Sequence, residues 1–342
     1  MARKHKKISI SLIAEEAGVS VPTVSKVINC KPDVSEETRR KVDCLLRKYK
    51  FQTSYPKART SKIAVIYPYT DLFDYYQKVM KGIYAYAGAN KLMVNVIIVQ
   101  SYARESLLEV IRDQQCAGVI ALLSEPYRRE LEMLNNTELP VVVIDATMEG
   151  NNIGFIDNDS YSGSCMAAKH LIDLGHRKIG YITYADRSIN QLQRLKGAEN
   201  TLRSHGIEMP SEKIVRLSLS ESTPVRGANG YKAMKQLLSQ APDITAVMAV
   251  DDSMALGALA AISDAGLRVP EDISVVGFDN YQETEYWRPA LTTVEHPVEK
   301  AGWLGIESIH AALNQNGHWT PPMEILPTSL VIRNSTSHPA KE

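Results

Sequence analysis

Short, continuously apolar runs recur along this 342-residue chain and alternate with helical patterns. Such runs are typical of strands that are buried on both faces of a parallel sheet. Helical patterns such as 160–174 and 252–265 lie between them, and the second ends at Gly266. The pattern is too long for one ordinary sheet, so we predict an α/β body of two lobes, each a mostly parallel sheet flanked by helices. The runs cover residues 63–67, 94–99, 118–123, 141–145, 179–183, 246–250 and 273–278.

The first 62 residues are strongly basic, although the whole chain has a formal net charge of zero. They hold fifteen Lys or Arg against six Asp or Glu, so the rest of the chain carries an equal acidic excess. A basic head on an acidic body indicates that the head meets a polyanion and the body does not.

Other global features point to the reducing interior of a cell. No apolar run approaches the length of a membrane span, and no apolar stretch of a signal peptide follows the basic N-terminus. The four cysteines show neither CxxC spacing nor a zinc-ligand grouping. We therefore expect a cytoplasmic protein with free thiols, no metal, no cofactor and no membrane partner.

Three short helical patterns occupy the head, with Gly18 able to turn at the end of the first. Ser20 can cap the second pattern, and Pro22 falls in its first turn, where a missing N–H costs little. Two short helices joined by a tight turn and braced by a third predict an all-α helix-turn-helix headpiece. The apolar positions with helical spacing are Ile10, Ile13, Ala14 and Ala17, then Val24, Val27 and Ile28, then Val42, Leu45, Leu46 and Tyr49.

The second helix would lie in the DNA major groove, where its hydroxyls and its Lys26 ammonium can contact phosphates or base edges. Val21 can touch a thymine methyl group. The alternative is a three-helix protein-binding domain with a polar face, but the motif and the charge agree independently on DNA. The candidate DNA-binding residues are Ser20, Val21, Pro22, Thr23, Ser25, Lys26, Asn29, Ser35 and Arg39.

Residues 9–29 (SISLIAEEAGVSVPTVSKVIN) and 34–42 (VSEETRRKV) resemble the headpiece of the LacI/GalR repressor family. In that family the first two side chains of the recognition helix, here Val21 and Pro22, read bases. The family usually has arginine where this chain has Lys26. Lysine lacks the planar fork that pairs with guanine, so the family specificity at that base position does not carry over directly.

The resemblance extends over the body through motifs that are weak singly but ordered and spaced as in the family. It implies a fold like that of type I periplasmic sugar-binding proteins, an effector clamped between the lobes, and a homodimer formed by the body. The motifs are DN (157–158), LGHRKI (174–179), DDSMALG (251–257), VGFD (276–279), PALTTV (289–294) and LVIRNS (330–335).

The resulting domain prediction is a headpiece over 1–51, a short linker over 52–62 and a two-lobed body over 63–338. Lobe 1 is expected at about 63–158 and 294–322, and lobe 2 at about 159–293 and 323–338. No C-terminal heptad tail follows, so we expect a dimer rather than a tetramer.

Arg194 and Asp279 are the first candidate effector-binding residues. Arg194 matches the family arginine that pairs with ligand hydroxyls or a carboxylate, and its alternative is a surface charge on a helix. Asp279 follows an apolar strand, where a carboxylate can accept hydrogen bonds from sugar hydroxyls. Its alternative is a helix N-cap.

Asp251 stands where the family usually has asparagine, and a helix N-cap is its alternative role. If Asp251 joins Asp279 and Asp145 around the one Arg194, the negative charge disfavours an anionic effector and favours a neutral or cationic polyol.

Tyr75 and Tyr76 follow the first strand and can stack on a sugar or a purine. Tyr67, Tyr69 and Phe73 crowd the same stretch, so some of these rings belong to the core instead.

These features predict a sequence-specific transcription regulator, most simply a repressor, that binds double-stranded operator DNA and a sugar or polyol effector. An enzyme is the first alternative, but no Walker A, GxGxxG, GxSxG or HExxH motif is present. An exported sugar-binding protein is a second, and an effector-independent DNA binder a third.

The linker departs from the family pattern, in which an aromatic residue (here Phe51) leads into a short helix with a minor-groove leucine. Residues 52–62 (QTSYPKARTSK) contain no leucine and place Pro56 mid-segment. Proline in a helix interior costs about 3 kcal/mol. We therefore predict an extended, basic linker that contacts phosphates and inserts no side chain between stacked base pairs.

Operator bending should accordingly be weaker than is usual for the family, because no apolar side chain of the linker is placed to unstack the central base step. A gel-phasing assay on the bound operator measures the bend, and a sharp central kink would overturn the linker prediction.

Overall fold

The structure is a computed structural model. It describes residues 9–28, 34–49, 62–68, 73–99, 107–122, 128–148, 150–185, 188–217, 226–314 and 319–340.

Three helices form the headpiece: α1 (Ile10–Ala17), α2 (Val21–Ile28) and α3 (Glu36–Lys48). Gly18 ends α1 with φ at 67°, a left-handed conformation that glycine adopts without strain. The predicted apolar faces meet in one core, so the helix-turn-helix prediction is confirmed. The buried core residues are Ile13, Ala14, Ala17, Val24, Val27, Val42 and Leu46.

The first sheet of the body has six strands. They are β1 (Lys62–Pro68), β2 (Met93–Val99), β3 (Gly118–Ala121), β4 (Val141–Ile144), β5 (Ile153–Asn158) and β11 (Met323–Leu326). Their order is β11-β5-β4-β3-β1-β2, and the pairs β1–β2, β1–β3, β3–β4 and β4–β5 are parallel. Every residue of β3, β4 and β5 is buried, as their apolar runs predict. The associated helices are α4 (Phe73–Asn90), α5 (Leu107–Asp113), α6 (Arg128–Asn135) and α12 (Val298–Asn314).

The second sheet also has six strands. They are β6 (Ile179–Tyr184), β7 (Ile214–Leu217), β8 (Ala246–Ala249), β9 (Ser274–Phe278), β10 (Thr292–Glu295) and β12 (Ser329–Val331). The order is β12-β10-β9-β8-β6-β7, and only the β10–β12 pair is antiparallel. The predicted fold class is confirmed. The helices are α7 (Ser160–Asp173), α8 (Ile189–Ser204), α9 (Arg226–Gln240), α10 (Asp252–Asp264) and α11 (Glu283–Tyr286).

Two compact units divide the chain. The first comprises Met1–Tyr69, Ile83–Ile156 and Trp303–Met323, and the second comprises Thr70–Gly82, Asp157–Gly302 and Glu324–Glu342. By strand pairing, β10 lies wholly in the second sheet and β11 lies in the first, whereas the predicted lobe limits, which stay predictions, run through β10 and place β11 in lobe 2. The reason is that a strand's sheet is decided by its pairing partners, which its own sequence does not reveal. The limits of headpiece and linker stay predictions, since 50–61 lie outside the described residues.

Helices α9 and α10 pack at the closest approach that glycine allows. A Cβ on Gly257 would overlap the carbonyl oxygen of Gly227 and lie 2.6 Å from the backbone nitrogen of Tyr231. A Cβ on Gly227 itself would meet only the carbonyl oxygen of Ser253, at an ordinary 3.8 Å. The helix pair therefore needs glycine at Gly257 but not at Gly227.

Gly257→Ala should lower the free energy of unfolding by about 1–3 kcal/mol, because the added methyl group forces two backbones apart. Gly227→Ala on the same helix pair is the matched control and should leave stability unchanged or slightly higher. Urea denaturation of both variants measures this. Wild-type stability in Gly257→Ala would contradict the packing described here.

Candidate functional site

The second unit encloses a positive charge at the carboxyl ends of its parallel strands. Arg194 projects from α8, and only 7% of the residue is exposed. Its Nη1 donates to the carbonyl oxygen of Val250 at 2.8 Å, and its Nε donates to Oγ of Ser160 at 3.4 Å. Its guanidinium carbon lies 3.7 Å from the centroid of the Phe278 ring. A carbonyl and an aromatic face thus take the place of water around the charge.

Asp279 supplies the countercharge directly after β9. Its Oδ1 lies 3.1 Å from Nη2 of Arg194, and both side chains are buried. The backbone of Asp279 has φ at 109°, and such conformations store about 1–3 kcal/mol of strain that concentrates at ligand sites. The ion pair and the strained backbone therefore mark the same point of the fold.

The turn after Asp279 is held from the C-terminal segment. Nη2 of Arg333 donates to Oδ1 of Asn280 at 2.7 Å, and its Nη1 donates to the carbonyl oxygen of Leu291 at 2.8 Å. Asn280 is also left-handed, with φ at 50°. Arg333 thereby fixes the turn that presents Asp279.

His296 follows β10 and lies beside Asp279. Its Nε2 is 3.1 Å from Oδ1 of Asp279, and its side chain is almost fully buried. The imidazole stacks on Tyr75 with ring centroids 5.7 Å apart, and meets the edge of Phe278 at 5.9 Å. Tyr75 is therefore a buried ring of the second unit that packs against this polar cluster.

A second carboxylate, Asp157, is the penultimate residue of β5. Its Oδ1 accepts from Nδ2 of Asn190 at 2.9 Å and from the backbone N–H of Asn158 at 2.8 Å. Burial raises the pKa of Asp157, and these hydrogen bonds together with the charge of Arg194 partly offset the rise. Oγ of Ser160 donates to Oδ1 of Asn158 at 2.9 Å, which connects this carboxylate to the contacts of Arg194.

Asp252 lies beneath the turn and is fully buried. Its Oδ1 accepts from Oγ1 of Thr293 at 2.6 Å, and its Oδ2 accepts from the backbone N–H of Tyr281 at 2.8 Å. Burial raises the pKa of Asp252 well above its ordinary value, and the neighbouring carboxylates of Asp279 and Asp251 raise it further.

The remaining predicted effector residues lie in different settings. Asp251 is the N-cap of α10, accepting from the backbone N–H of Met254 at 2.8 Å, as its alternative role requires. Asp145 follows β4 in the first unit and has φ at 66°. Tyr76 is half-buried and meets the ring of Tyr75 edge to face at 5.4 Å. Whether any of these residues contacts an effector stays a prediction.

The structure brings Arg194, Asp279 and Tyr75 into one cluster. Sequence reasoning missed Asp157 and His296 as members. Asp157 lies near the carboxyl end of β5 and His296 directly follows β10. The rule that selected Asp279, namely a polar residue at the end of an apolar strand, could therefore have found them. Further missed members are Asn190, Asp252 and Ser160.

In the headpiece, α2 presents a mostly polar face. Ser20 caps the helix, its Oγ accepting from the backbone N–H of Thr23 at 3.2 Å, and Val21 keeps 43% of its surface exposed. Pro22 and Lys26 are also exposed, and Ser25 is half-buried. The residues predicted to read DNA therefore lie on the surface of the second helix, and their roles stay predictions.

Three predicted DNA residues lie elsewhere. Ser35 is exposed and caps α3, its Oγ accepting from the backbone N–H of Thr38 at 3.3 Å. Arg39 is only 6% exposed, so its guanidinium is not presented at the surface as a phosphate contact requires. Asn29 lies outside the described residues.

Within the described part of the chain, His, Cys, Asp and Glu side chains form no group of three or more that could hold a metal ion. Among the helices that the structure describes, none is both long and apolar enough to cross a membrane.

The chain begins with a helix-turn-helix whose second helix is exposed. Two mostly parallel sheets follow, and the second unit holds a buried polar cluster. This combination is typical of DNA-binding regulators with a periplasmic-binding-protein-like body. Residues 9–54 match the family model described as bacterial regulatory proteins, lacI family. Residues 168–336 match the model described as a periplasmic binding protein-like domain. The chain thus combines a lacI-family helix-turn-helix domain with a periplasmic binding protein-like domain, and it is a DNA-binding transcription regulator.

Three similar proteins each cover between 81% and 96% of the chain. The HTH-type transcriptional repressor PurR of Mannheimia succiniciproducens is 29% identical over 334 residues, covering 96% of this chain and 98% of PurR. The solved complex of the transcriptional regulator CelR with cellobiose is 26% identical, has a TM-score of 0.73, and covers 96% of this chain and 99% of CelR. A LacI family regulator of Enterococcus faecalis V583 with bound ribose is 26% identical at a TM-score of 0.68, covering 81% of this chain and 99% of that one.

The buried carboxyl of Asp252 should make stability fall as pH rises. Because its pKa is raised in the folded state, the native protein keeps a proton that the unfolded chain has released, so the free energy of unfolding decreases from the ordinary carboxyl pKa up to the raised one. Asp252→Asn, whose amide can replace the protonated carboxyl, should flatten this decrease.

Urea denaturation at intervals between pH 4 and pH 8, about the range where carboxyl and histidine groups titrate, measures the two slopes. Asp243→Asn removes an exposed carboxylate of the same unit and should keep the wild-type slope. Equal slopes in wild type and Asp252→Asn would contradict the prediction.

Proposed function

We propose that this regulator is a cytoplasmic repressor that binds an operator as a homodimer and whose operator affinity is modulated by a small, neutral, hydroxyl-rich effector. The observation that carries the effector half of the proposal is the buried Arg194–Asp279 pair at the strand ends. Ligands of open α/β sheets bind at the carboxyl ends of strands, and these two groups are already oriented there by protein contacts.

The DNA half of the proposal rests on the exposed face of α2. In a dimer the two second helices would enter successive major grooves, so the operator should be roughly palindromic with half-sites about one helical turn apart. The basic head supplies the attraction to phosphates. The operator-contacting residues we propose are Ser20, Val21, Pro22, Thr23, Ser25, Lys26, Asn29 and Ser35, without the buried Arg39.

Charge favours a neutral effector. Around Arg194 the second unit places the carboxylates of Asp279 and Asp157, and burial makes a further anionic group costly there. Carboxylates accept hydrogen bonds from hydroxyls and arginine donates to hydroxyl oxygens, so a sugar or polyol satisfies both. The related structures that hold cellobiose and ribose support the same class.

Effector binding and operator binding would then be coupled, because both shift the equilibrium between the same conformations of the dimer. An effector that binds one conformation better shifts the dimer toward or away from the operator-binding form, and operator binding changes effector affinity by the same factor.

An effector-independent regulator is the second candidate. The contacts of Arg194 with Asp279, Val250 and Ser160 all lie inside the second unit, so the cluster already has a structural role without a ligand.

Arg194→Lys separates the two candidates. Lysine keeps the charge beside Asp279 but loses the forked donors, so effector affinity should fall about tenfold to a hundredfold, as expected when hydrogen bonds to a charged group worth about 1.5–3 kcal/mol are lost. Arg203→Lys, an exposed position on the same helix, is the matched control.

The measurement is thermal shift followed by calorimetry against monosaccharides, disaccharides, polyols, sugar phosphates and purines, with operator binding followed by fluorescence anisotropy. A sugar or polyol that binds wild type and Arg203→Lys but not Arg194→Lys establishes the site. Equal effector affinity in wild type, Arg203→Lys and Arg194→Lys would show that Arg194 does not belong to the effector site. If no compound of the panel binds while operator binding is intact, the effector-independent regulator is favoured.

A further inference from the structure

The residues that follow β12 lie along the second sheet without forming a strand of their own. We call residues 332–340 the C-terminal strap. The backbone N–H of Val275 donates to the carbonyl oxygen of Ser335 at 2.8 Å, and Oγ of Ser335 donates to the carbonyl oxygen of Val275 at 2.6 Å. The backbone N–H of Thr292 donates to the same hydroxyl at 2.8 Å. These are bonds of single residues rather than a strand ladder, so the strap can detach while β9 and β10 stay paired.

The first part of the strap holds the turn that presents Asp279. The guanidinium of Arg333 donates to Oδ1 of Asn280 at 2.7 Å, and the backbone N–H of Arg333 donates to Oγ1 of Thr292 at 3.0 Å. Asn280 directly follows Asp279, and both residues have a positive φ. Strained backbone persists only where surrounding contacts hold it. Detachment of the strap therefore removes one of the restraints on this turn.

Two histidines hold the other part of the strap. Nε2 of His176 lies 2.9 Å from the carbonyl oxygen of Ser337, and Nε2 of His170 lies 3.0 Å from Oγ1 of Thr336. A carbonyl oxygen only accepts, so Nε2 of His176 carries a proton and donates it to the strap. In the neutral ring Nδ1 is then an acceptor, and it lies 2.9 Å from the hydroxyl oxygen of Thr245. Only 1% of His176 is exposed, and both of its nitrogens are satisfied while the ring is neutral.

The strap covers these two rings, and the charged form of each is disfavoured there. Burial lowers the pKa of His176; the hydrogen bond to Ser337 partly offsets the fall, and the charges of His170 and His338 add to it. Burial also lowers the pKa of His170, against the opposing charge of Asp173. Both rings therefore bind a proton more readily once the strap lifts and water reaches them.

The charges around His176 are mostly cationic or already paired. Arg177 and Lys178 follow it directly, and Arg177 donates from Nη1 to the carbonyl oxygen of His176 at 3.0 Å. Glu271, in the connection between α10 and β9, is exposed to water. The ion pairs on the neighbouring elements are Lys169–Asp173 on α7 and Arg268–Asp272 before β9. A proton on His176 is thus more stable in the open state, where the ring faces water.

We propose that His170 and His176 form a pH-sensitive clasp, which releases the C-terminal strap and loosens the turn that presents Asp279 when the pH falls. The inference goes beyond the proposed function and holds for any effector. The closed strap keeps both rings neutral, whereas the open strap lets them take up protons. Opening is therefore favoured as pH falls below the ordinary histidine pKa. Above that pKa both states are neutral, and the strap stays closed.

Hydrogen exchange followed by mass spectrometry on the full chain, without effector, measures the opening. The rates at each pH are divided by those of unstructured peptides of the same sequence, so that the intrinsic pH dependence of exchange cancels. From about pH 8 to about pH 5, opening should gain up to about thirtyfold for each histidine, because an exposed imidazole is almost fully protonated at the lower value. Peptides that contain the backbone N–H of Val275, Asn280 or Ser337 should lose protection together, whereas peptides of β8 should keep theirs.

Three substitutions assign the effect to the clasp. His170→Gln and His176→Gln each remove one titrating ring and keep an amide that can donate to the strap. Each should lose about half of the logarithmic pH dependence, and the double variant nearly all of it. His205→Gln changes an exposed histidine of the same unit and should behave as wild type. If His176→Gln does not fold, the reduced slope of the half-buried His170→Gln decides.

The outcomes are distinct. A loss of protection at low pH that is shared by strap and turn, spares β8 and shrinks in the clasp variants supports the inference. Protection of the strap that is independent of pH in wild type overturns it, as does a full wild-type slope in His170→Gln and in His176→Gln. A parallel loss in β8 shows acid unfolding of the whole unit and overturns the clasp. Loss of protection confined to the strap overturns its control of the turn.

Discussion

The guanidinium of Arg194 is a full positive charge enclosed in protein, and such a charge is tolerated only when its partners are placed in advance. The partners come from three parts of the second unit: the carbonyl oxygen of Val250 after β8, the carboxylate of Asp279 after β9, and Oγ of Ser160 at the start of α7. The strands must therefore be in register and α8 must be seated correctly before the charge can be buried. This requirement ties the core of the second unit to its polar cluster.

The turn that carries Asp279 is strained and is held by several contacts at once. Arg333 fixes Asn280 from the C-terminal segment, and the carboxyl of Asp252 accepts from the backbone N–H of Tyr281 on the other side. Strained backbone persists only where the surroundings over-determine it. The buried carboxyl beneath the turn thus serves the geometry of the site. Because burial raises its pKa, the folded unit keeps the proton of this carboxyl to higher pH than the unfolded chain does.

Sequence reasoning reached the fold because the signals it used are local. The spacing of Ile13, Val24 and Val42 within their helices predicts the buried headpiece core, and the apolar runs predict strands buried on both faces. The same reasoning found Arg194 by resemblance and Asp279 by its place after a strand. It left Asp251 open between effector contact and helix cap, and the structure shows the cap.

The sequence by itself determined the elements, their periodic faces, the helix-turn-helix and the parallel character of the sheets, because these depend on neighbours a few residues apart. Only the tertiary structure decided that β10 joins the second sheet, that Asp157 and Asp252 are buried, and that His296 lies beside Asp279 against Tyr75. These facts depend on residues far apart in the chain. Strand pairing and helix packing bring such residues together, and no local pattern records which distant side chain each one will meet.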